Sequence, residues 1–78
     1  MVLILPTLAL GETMDDLVNR DGLFYKKFTV VPFTGEITET TLQGTIRNGK
    51  KEGPWVRYYS DGQLEKKGNY KDGKLVEQ

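Results

Sequence analysis

The chain has 78 residues with no cysteine and no histidine, and its 11 Lys plus Arg balance 11 Asp plus Glu. A chain this short makes one domain at most and buries only about 60% of its unfolded surface, which leaves little material for a deep catalytic cleft. The missing residue types exclude thiolate nucleophiles, imidazole bases, disulfides and nearly every transition-metal ligand set, and zero net charge argues against a dedicated nucleic-acid binder.

Residues 2–10 are uncharged and mostly apolar, interrupted by Pro6, and the run ends in Ala9-Leu10-Gly11 before the acidic stretch that begins at Glu12. Small residues at Ala9 and Gly11 suit a signal-peptidase site, so 1–11 reads as the tail of a signal peptide whose charged n-region is missing. The same run also reads as an apolar N-terminal strand. The first reading predicts a secreted or periplasmic protein, the second a cytoplasmic one. The run is too short to span a bilayer by itself.

Residues 12–22 read as a linker with a short helix. Thr13 is placed to cap it, Asp15 and Asp16 fall in the first turn, and Gly22 stops it. A helix of two turns has no stability of its own.

From Leu23 the texture changes to short runs of Phe, Tyr, Thr, Val and Ile separated by Gly-containing pairs, which predicts strands at 23–28, 33–40, 42–47, 54–59 and 63–71. Asn48-Gly49, Asp61-Gly62, Asp72-Gly73 and the earlier Asp21-Gly22 tolerate positive φ at both central positions of a type I′ turn, whose twist matches the strands it joins. Asp61-Gly62 gives the strongest hairpin signal of the four, because strand-like runs flank it on both sides. The fold class that follows is all-β: a single-layer antiparallel meander over 23–78 behind the short helix, with open edges that invite strand addition by a partner or a second copy.

A self-comparison adds a repeat. Gly44-Thr45-Ile46-Arg47-Asn48-Gly49-Lys50 returns 24 positions later as Gly68-Asn69-Tyr70-Lys71-Asp72-Gly73-Lys74. Glycine, an apolar or aromatic residue, Asn or Asp, glycine and lysine all recur in register, and periods of this size mark architectures in which each unit is one supersecondary element. Here the unit is a hairpin.

The repeat resembles the bacterial variant of the MORN repeat. Residues 44–64 carry the resemblance through Gly44, Ile46, Asn48-Gly49-Lys50, Gly53-Pro54-Trp55, Tyr58-Tyr59, Asp61-Gly62 and Leu64, while Gly68 opens a second unit and Phe33-Thr34-Gly35-Glu36-Ile37 looks like a degenerate earlier one. Many bacterial proteins of this type are described as YwqK-like antitoxins, so the resemblance implies a toxin-neutralising role. A repeat is a scaffold, however, and its sequence says little about its partner.

Strand alternation puts Trp55, Arg57 and Tyr59 on one face and Val56 and Tyr58 on the other. Aromatic stripes of this kind are usually core, but a single-layer sheet cannot bury both faces, so one aromatic row is left as a contact surface rich in the residue types that anchor interfaces. Lys50, Lys51, Lys66 and Lys67 lie at or near turns. Lysines there protect strand edges, or they form a basic rim for anionic lipid headgroups or an acidic protein.

The rim is consistent with the charge layout. Residues 12–46 hold six acidic and three basic side chains, whereas eight basic and five acidic side chains follow from Arg47 on. Such a bias describes solvated strand faces, or a C-terminal half suited to an anionic partner.

Enzymatic chemistry lacks a constellation. Asp15 and Asp16 are adjacent on the expected helix and point apart, and Glu36 and Glu39 fall on opposite sides of a strand, so neither pair converges as paired-carboxylate hydrolysis requires. No serine has a base, no glycine-rich loop opens a helix, and no calcium loop is present. The sequence predicts a non-enzymatic protein-binding module with no cofactor and no metal. Its candidate partner-binding residues are Trp55, Arg57, Tyr58, Tyr59, Lys50, Lys51, Lys66 and Lys67. The alternatives are a module binding the surface of anionic phospholipid membranes and a structural repeat fragment of a longer protein.

Overall fold

The structure is a computed structural model that describes residues 11–77. The signal-peptide reading of 1–11 therefore falls, apart from Gly11, outside the described residues. Seven strands follow in chain order: β1 (Leu17–Arg20), β2 (Leu23–Lys26), β3 (Gly35–Thr38), β4 (Leu42–Arg47), β5 (Lys50–Tyr58), β6 (Leu64–Lys71) and β7 (Lys74–Glu77). β1 and β2 form a two-stranded hairpin, and β3-β4-β5-β6-β7 form a five-stranded antiparallel meander in sequence order. The all-β meander expected from the sequence is the fold of this chain.

Turn chemistry explains the reversals. Asp21, Asn48 and Asp72 have φ of 54°, 51° and 51°, and the glycine after each is also positive, which is the backbone signature of a type I′ hairpin turn. The Asp61-Gly62 reversal is built differently from the type I′ turn expected there. Only Gly62 has positive φ. The Gly62 N–H donates to the Tyr59 carbonyl at 2.9 Å, and the Tyr59 N–H donates to the Gln63 carbonyl at 2.8 Å. The loop is therefore a turn over residues 59–62 closed by a left-handed glycine, and the Gln63 N–H is held by the Asp61 carboxylate at 2.9 Å. A register shift between Arg57 and Tyr58 accompanies it.

The short helix expected over the Thr13–Arg20 stretch contracts to one 3-10 turn, Met14–Asp16, and Leu17 onward is strand. Thr13 and Asp16 cap that turn reciprocally: the Asp16 carboxylate accepts from the Thr13 N–H at 3.3 Å and from its hydroxyl at 3.2 Å, while the Asp16 N–H donates to the Thr13 carbonyl at 3.0 Å. The bonds that the carboxylate accepts, the backbone one foremost, hold the Asp16 carboxyl below its ordinary pKa. The reason the helix stops is the pair at residues 21 and 22. Asp21-Gly22 makes a hairpin turn, and a hairpin needs a strand before it.

The hairpin does not stand apart from the sheet. Leu17 of β1 joins Ile37 of β3, Ile46 of β4 and Trp55 of β5 in one buried cluster, with Met14, Phe24, Phe33, Leu42 and Tyr70 packed around it. The β4-β5 turn docks on β2 and the following loop through backbone bonds: Phe24 N–H to Gly49 carbonyl at 2.8 Å, Gly49 N–H to Phe33 carbonyl at 2.7 Å and Phe33 N–H to Phe24 carbonyl at 2.9 Å. β2 and the loop after it thus roof one end of the sheet, and Met14 and Leu17, from the stretch expected to be a linker, pack into its core. Among the described residues, the four buried side chains come from β1, β3, β4 and β5.

The outer edge of β3 is also closed. Glu12 pairs with Ile37 in a parallel bridge, its N–H reaching the Glu36 carbonyl at 2.9 Å and its carbonyl accepting from the Thr38 N–H at 3.1 Å. Lys26 meets the Glu12 carboxylate at 2.9 Å, which raises the lysine pKa and ties β2 to this edge. Of the open edges expected from the sequence, the one at β3 is therefore covered.

A cationic groove beside Trp55 is the candidate functional site

The floor of the site is set by glycine. Trp55 is 4% exposed, and its indole lies across β4 at Gly44: a Cβ there would come to 2.6 Å from the ring Cγ and nearer still to Cδ2 and Cε2. No side chain other than hydrogen fits beneath that ring. The indole N–H donates to the Thr45 carbonyl at 3.0 Å, so its one polar atom is satisfied inside the core. Tyr70 of β6 meets the same indole edge-on at 6.3 Å and 73°. Lys51 lies over both rings, its ammonium 4.8 Å from the Trp55 centroid and 4.9 Å from that of Tyr70, a cation–π geometry.

Beyond the roofed end, this face of the sheet opens into a groove of about 110 Å³. Its apolar surfaces include Leu42, Trp55, Gly68, Tyr70 and Leu75, and Lys51, Arg57 and Lys66 supply its charge; Lys67, opposed to Val56, borders it with its side chain on the other face. None of its lining residues is acidic. The pairings Trp55 with Gly68 and Arg57 with Lys66 explain the convergence, because directly opposed residues of an antiparallel pair share a face.

Of the eight residues singled out in the sequence, five therefore line this groove: Trp55, Arg57, Lys51, Lys66 and Lys67. Trp55 does so as a buried wall. Lys50 lines a second, open cleft of about 410 Å³ between the N-terminal hairpin and the β6-β7 turn, together with Asn19, Asp72 and Lys74. Tyr58 and Tyr59 line neither. Tyr59 is exposed in the β5-β6 loop, because β5 ends at Tyr58 and the Tyr59 carbonyl already closes the turn by accepting from the Gly62 N–H.

Two features are not legible in the sequence. Gly68, Tyr70 and Leu75 complete the groove, and only the 24-residue repeat marks Gly68 in advance, as the counterpart of Gly44. The second is the loop after β2, where Phe28, Val30 and Val31 are exposed and Phe28 sits at φ 67°, an uncommon conformation for a bulky residue. Its backbone is pinned by the Arg20 guanidinium, which donates to the Thr29 carbonyl, and by the Thr29 hydroxyl, which donates to the Lys26 carbonyl at 2.7 Å. The apolar letters there read as the end of a strand.

Two carboxylates that drew attention in the sequence have structural occupations. Glu39 accepts from the Met14 N–H at 2.6 Å and Asp16 caps its turn. Among the described residues, no three Asp or Glu side chains gather as a metal-ligand set would, and no helix is long and apolar enough to cross a membrane. No family model, curated protein or solved structure matches this chain.

Proposed function

We propose that the chain is a non-enzymatic binding module that holds an acidic protein partner against the groove beside Trp55. The observation that carries this reading is the groove's one-signed lining: Lys51, Arg57 and Lys66 surround an apolar floor with no acid among the lining residues. Apolar floors with charged rims are the usual anatomy of protein interfaces, and complementary charge speeds encounter and rejects wrong partners. The likeness of residues 44–64 to bacterial MORN-repeat proteins described as antitoxins makes a toxin the first partner to test, neutralised by occlusion. Export of this chain would require the toxin to meet it outside the cytoplasm.

The test is affinity capture from the native host with wild-type protein and a Lys66→Glu/Lys67→Glu variant in parallel, followed by rebinding of the purified captured protein. Both lysines are exposed, so the variant keeps its fold and its circular dichroism. A partner retained equally by both proteins refutes the groove as its site. Co-expression with the captured protein then checks neutralisation, with restored growth as the expected result.

A second reading rests on a different observation. Phe28, Val30 and Val31 project from a pinned loop directly after Lys26-Lys27, and apolar tips flanked by lysine insert at the interface of anionic bilayers. Co-sedimentation with phosphatidylserine vesicles at low and high salt tests it. Binding at low salt that is lost in a Phe28→Ser/Val30→Ser variant supports it, and absence of binding at both salts eliminates it.

A further inference from the structure

Asn48-Gly49, which turns β4 into β5, is also a chemically reactive pair. The glycine nitrogen after an asparagine can attack the side-chain carbonyl carbon, because glycine carries no side chain to shield it. The new C–N bond closes a five-membered succinimide, and the side-chain nitrogen leaves as ammonia with the proton that the glycine N–H gives up. Water then opens the ring. Opening at the side-chain carbonyl gives aspartate, whereas opening at the main-chain carbonyl gives isoaspartate, whose backbone runs through the former side-chain methylene. Water is the only co-reactant, and no electrons are exchanged.

The fold occupies the nitrogen that must attack. The Gly49 N–H donates to the Phe33 carbonyl at 2.7 Å, and the Asn48 N–H donates to the Thr34 hydroxyl oxygen at 2.8 Å. The Gly49 carbonyl accepts from the Phe24 N–H at 2.8 Å. One turn therefore holds the reactive pair and fastens β2 and its loop to the sheet. The Gly49 nitrogen is freed only when that fastening opens.

We propose that Asn48 is a spontaneous deamidation site gated by the docking of the β4-β5 turn, and that its isoaspartyl product keeps the turn undocked. The other candidate positions are poorer. Asn19 and Asn69 precede Arg20 and Tyr70, whose side chains crowd the attacking nitrogen. Asp21, Asp61 and Asp72 precede glycine, but carboxylates, ionised at neutral pH, are weaker electrophiles than an amide. Their glycine nitrogens are occupied as well: the Gly22 N–H donates to Asn19 Oδ1 at 3.2 Å, that of Gly62 to the Tyr59 carbonyl at 2.9 Å and that of Gly73 to the Lys51 carbonyl at 3.0 Å.

The two products part company in the turn. Asp21 and Asp72 hold φ of 54° and 51° where Asn48 holds 51°, in turns of the same type, so aspartate at position 48 keeps the geometry. Isoaspartate adds a main-chain carbon to a reversal whose two residues set the pairing of Arg47 with Lys50. That carbon displaces Gly49 from its bonds to Phe33 and Phe24.

The test incubates the full chain in mildly alkaline buffer with and without denaturing urea. Mass spectrometry of the peptide spanning 48–49 follows the exchange of NH2 for OH, and enzymatic methylation counts isoaspartate. Three hydrogen bonds, each worth about a twofold to tenfold factor, close the gate, so the folded chain should deamidate about tenfold or more slowly than the chain in urea. Thr34→Ala removes one of the three and should accelerate the folded-state reaction about twofold to tenfold. By amide hydrogen exchange, the separated isoaspartyl chain should lose protection at Phe24 and Gly49, and an Asn48→Asp variant should keep it.

Equal deamidation rates with and without urea overturn the gate, as does an unchanged rate in a Thr34→Ala chain with native circular dichroism. An isoaspartyl chain that exchanges like Asn48→Asp overturns the undocking. The urea comparison uses the unaltered chain, so it decides the gate even if Thr34→Ala folds poorly.

Discussion

Gly44→Ala isolates the packing of Trp55 from every backbone effect. Gly44 is not among the positive-φ residues, so alanine meets no conformational penalty and even gains about 0.4–1 kcal/mol by restricting the unfolded chain. Against this stands a Cβ placed under 3.0 Å from three carbons of a buried ring. The ring must lift, and overpacking of this kind costs about 1–3 kcal/mol. Lifting also draws the indole N–H from the Thr45 carbonyl now 3.0 Å away, for about 1 kcal/mol more. The net loss is roughly 1–3 kcal/mol, a large part of the about 4–12 kcal/mol that about 0.05–0.15 kcal/mol per residue gives for this length. Trp55 is the sole tryptophan, so its emission reports the transition directly in a urea titration. With a urea slope of about 1 kcal/mol per molar, the midpoint should fall by roughly 1–3 M. Gly62→Ala is the control, since φ is +94° there and nothing stands within 4 Å of the added Cβ: it tests backbone strain alone. A Gly44→Ala midpoint equal to wild type, with unchanged emission, would show that the indole does not lie on β4.

Phe28→Asn should stabilise the chain by about 0.5–1 kcal/mol in the same titration, because asparagine tolerates the left-handed backbone that phenylalanine resists and the fully exposed ring gives up no packing. Lys51→Gln removes the ammonium over Trp55 and Tyr70 and should cost about 0.5–1 kcal/mol, with a loss that persists at high salt because the ring faces are near contact. The Asp16 carboxyl should titrate below 3.8 by NMR. Since its pKa is depressed on folding, its contribution is full above the unfolded value and disappears as pH falls through the folded one; Thr13→Ala, which removes the hydroxyl donor, should move that midpoint upward.

Much of this architecture was legible because φ > 0 is a demand that few residues meet. Asn48-Gly49 and Asp72-Gly73 announced their turns, and the strand between Leu42 and Arg47 follows from the turn that ends it. Asp21-Gly22 carried the same signal, but Gly22 also suited a helix stop, and that reading hid β1. Thr13 followed by two acids suited a helix start equally well, and a single 3-10 turn satisfies that cap without a helix to follow. The groove was half legible. Its lysines and Arg57 stood out as charge, whereas Gly68 is a residue whose meaning depends on what lies across the strand. Tyr59 was misplaced because the reversal takes in residues 59–62 rather than the two-residue turn that Asp61-Gly62 suggested, so the strand ends one residue before it.

Among the described residues the buried side chains lie on β1, β3, β4 and β5 and none on β6, and this gives the chain a gradient of local opening. Amides of β4 and the first half of β5 should exchange only when the whole domain unfolds, while β6 and β7 open at lower cost because fewer apolar contacts close behind them. The strand that carries Lys66 and the outer wall of the groove is thus the part that breathes. An incoming chain would stiffen it, and the molecule as a whole would then melt later in the presence of its partner than alone.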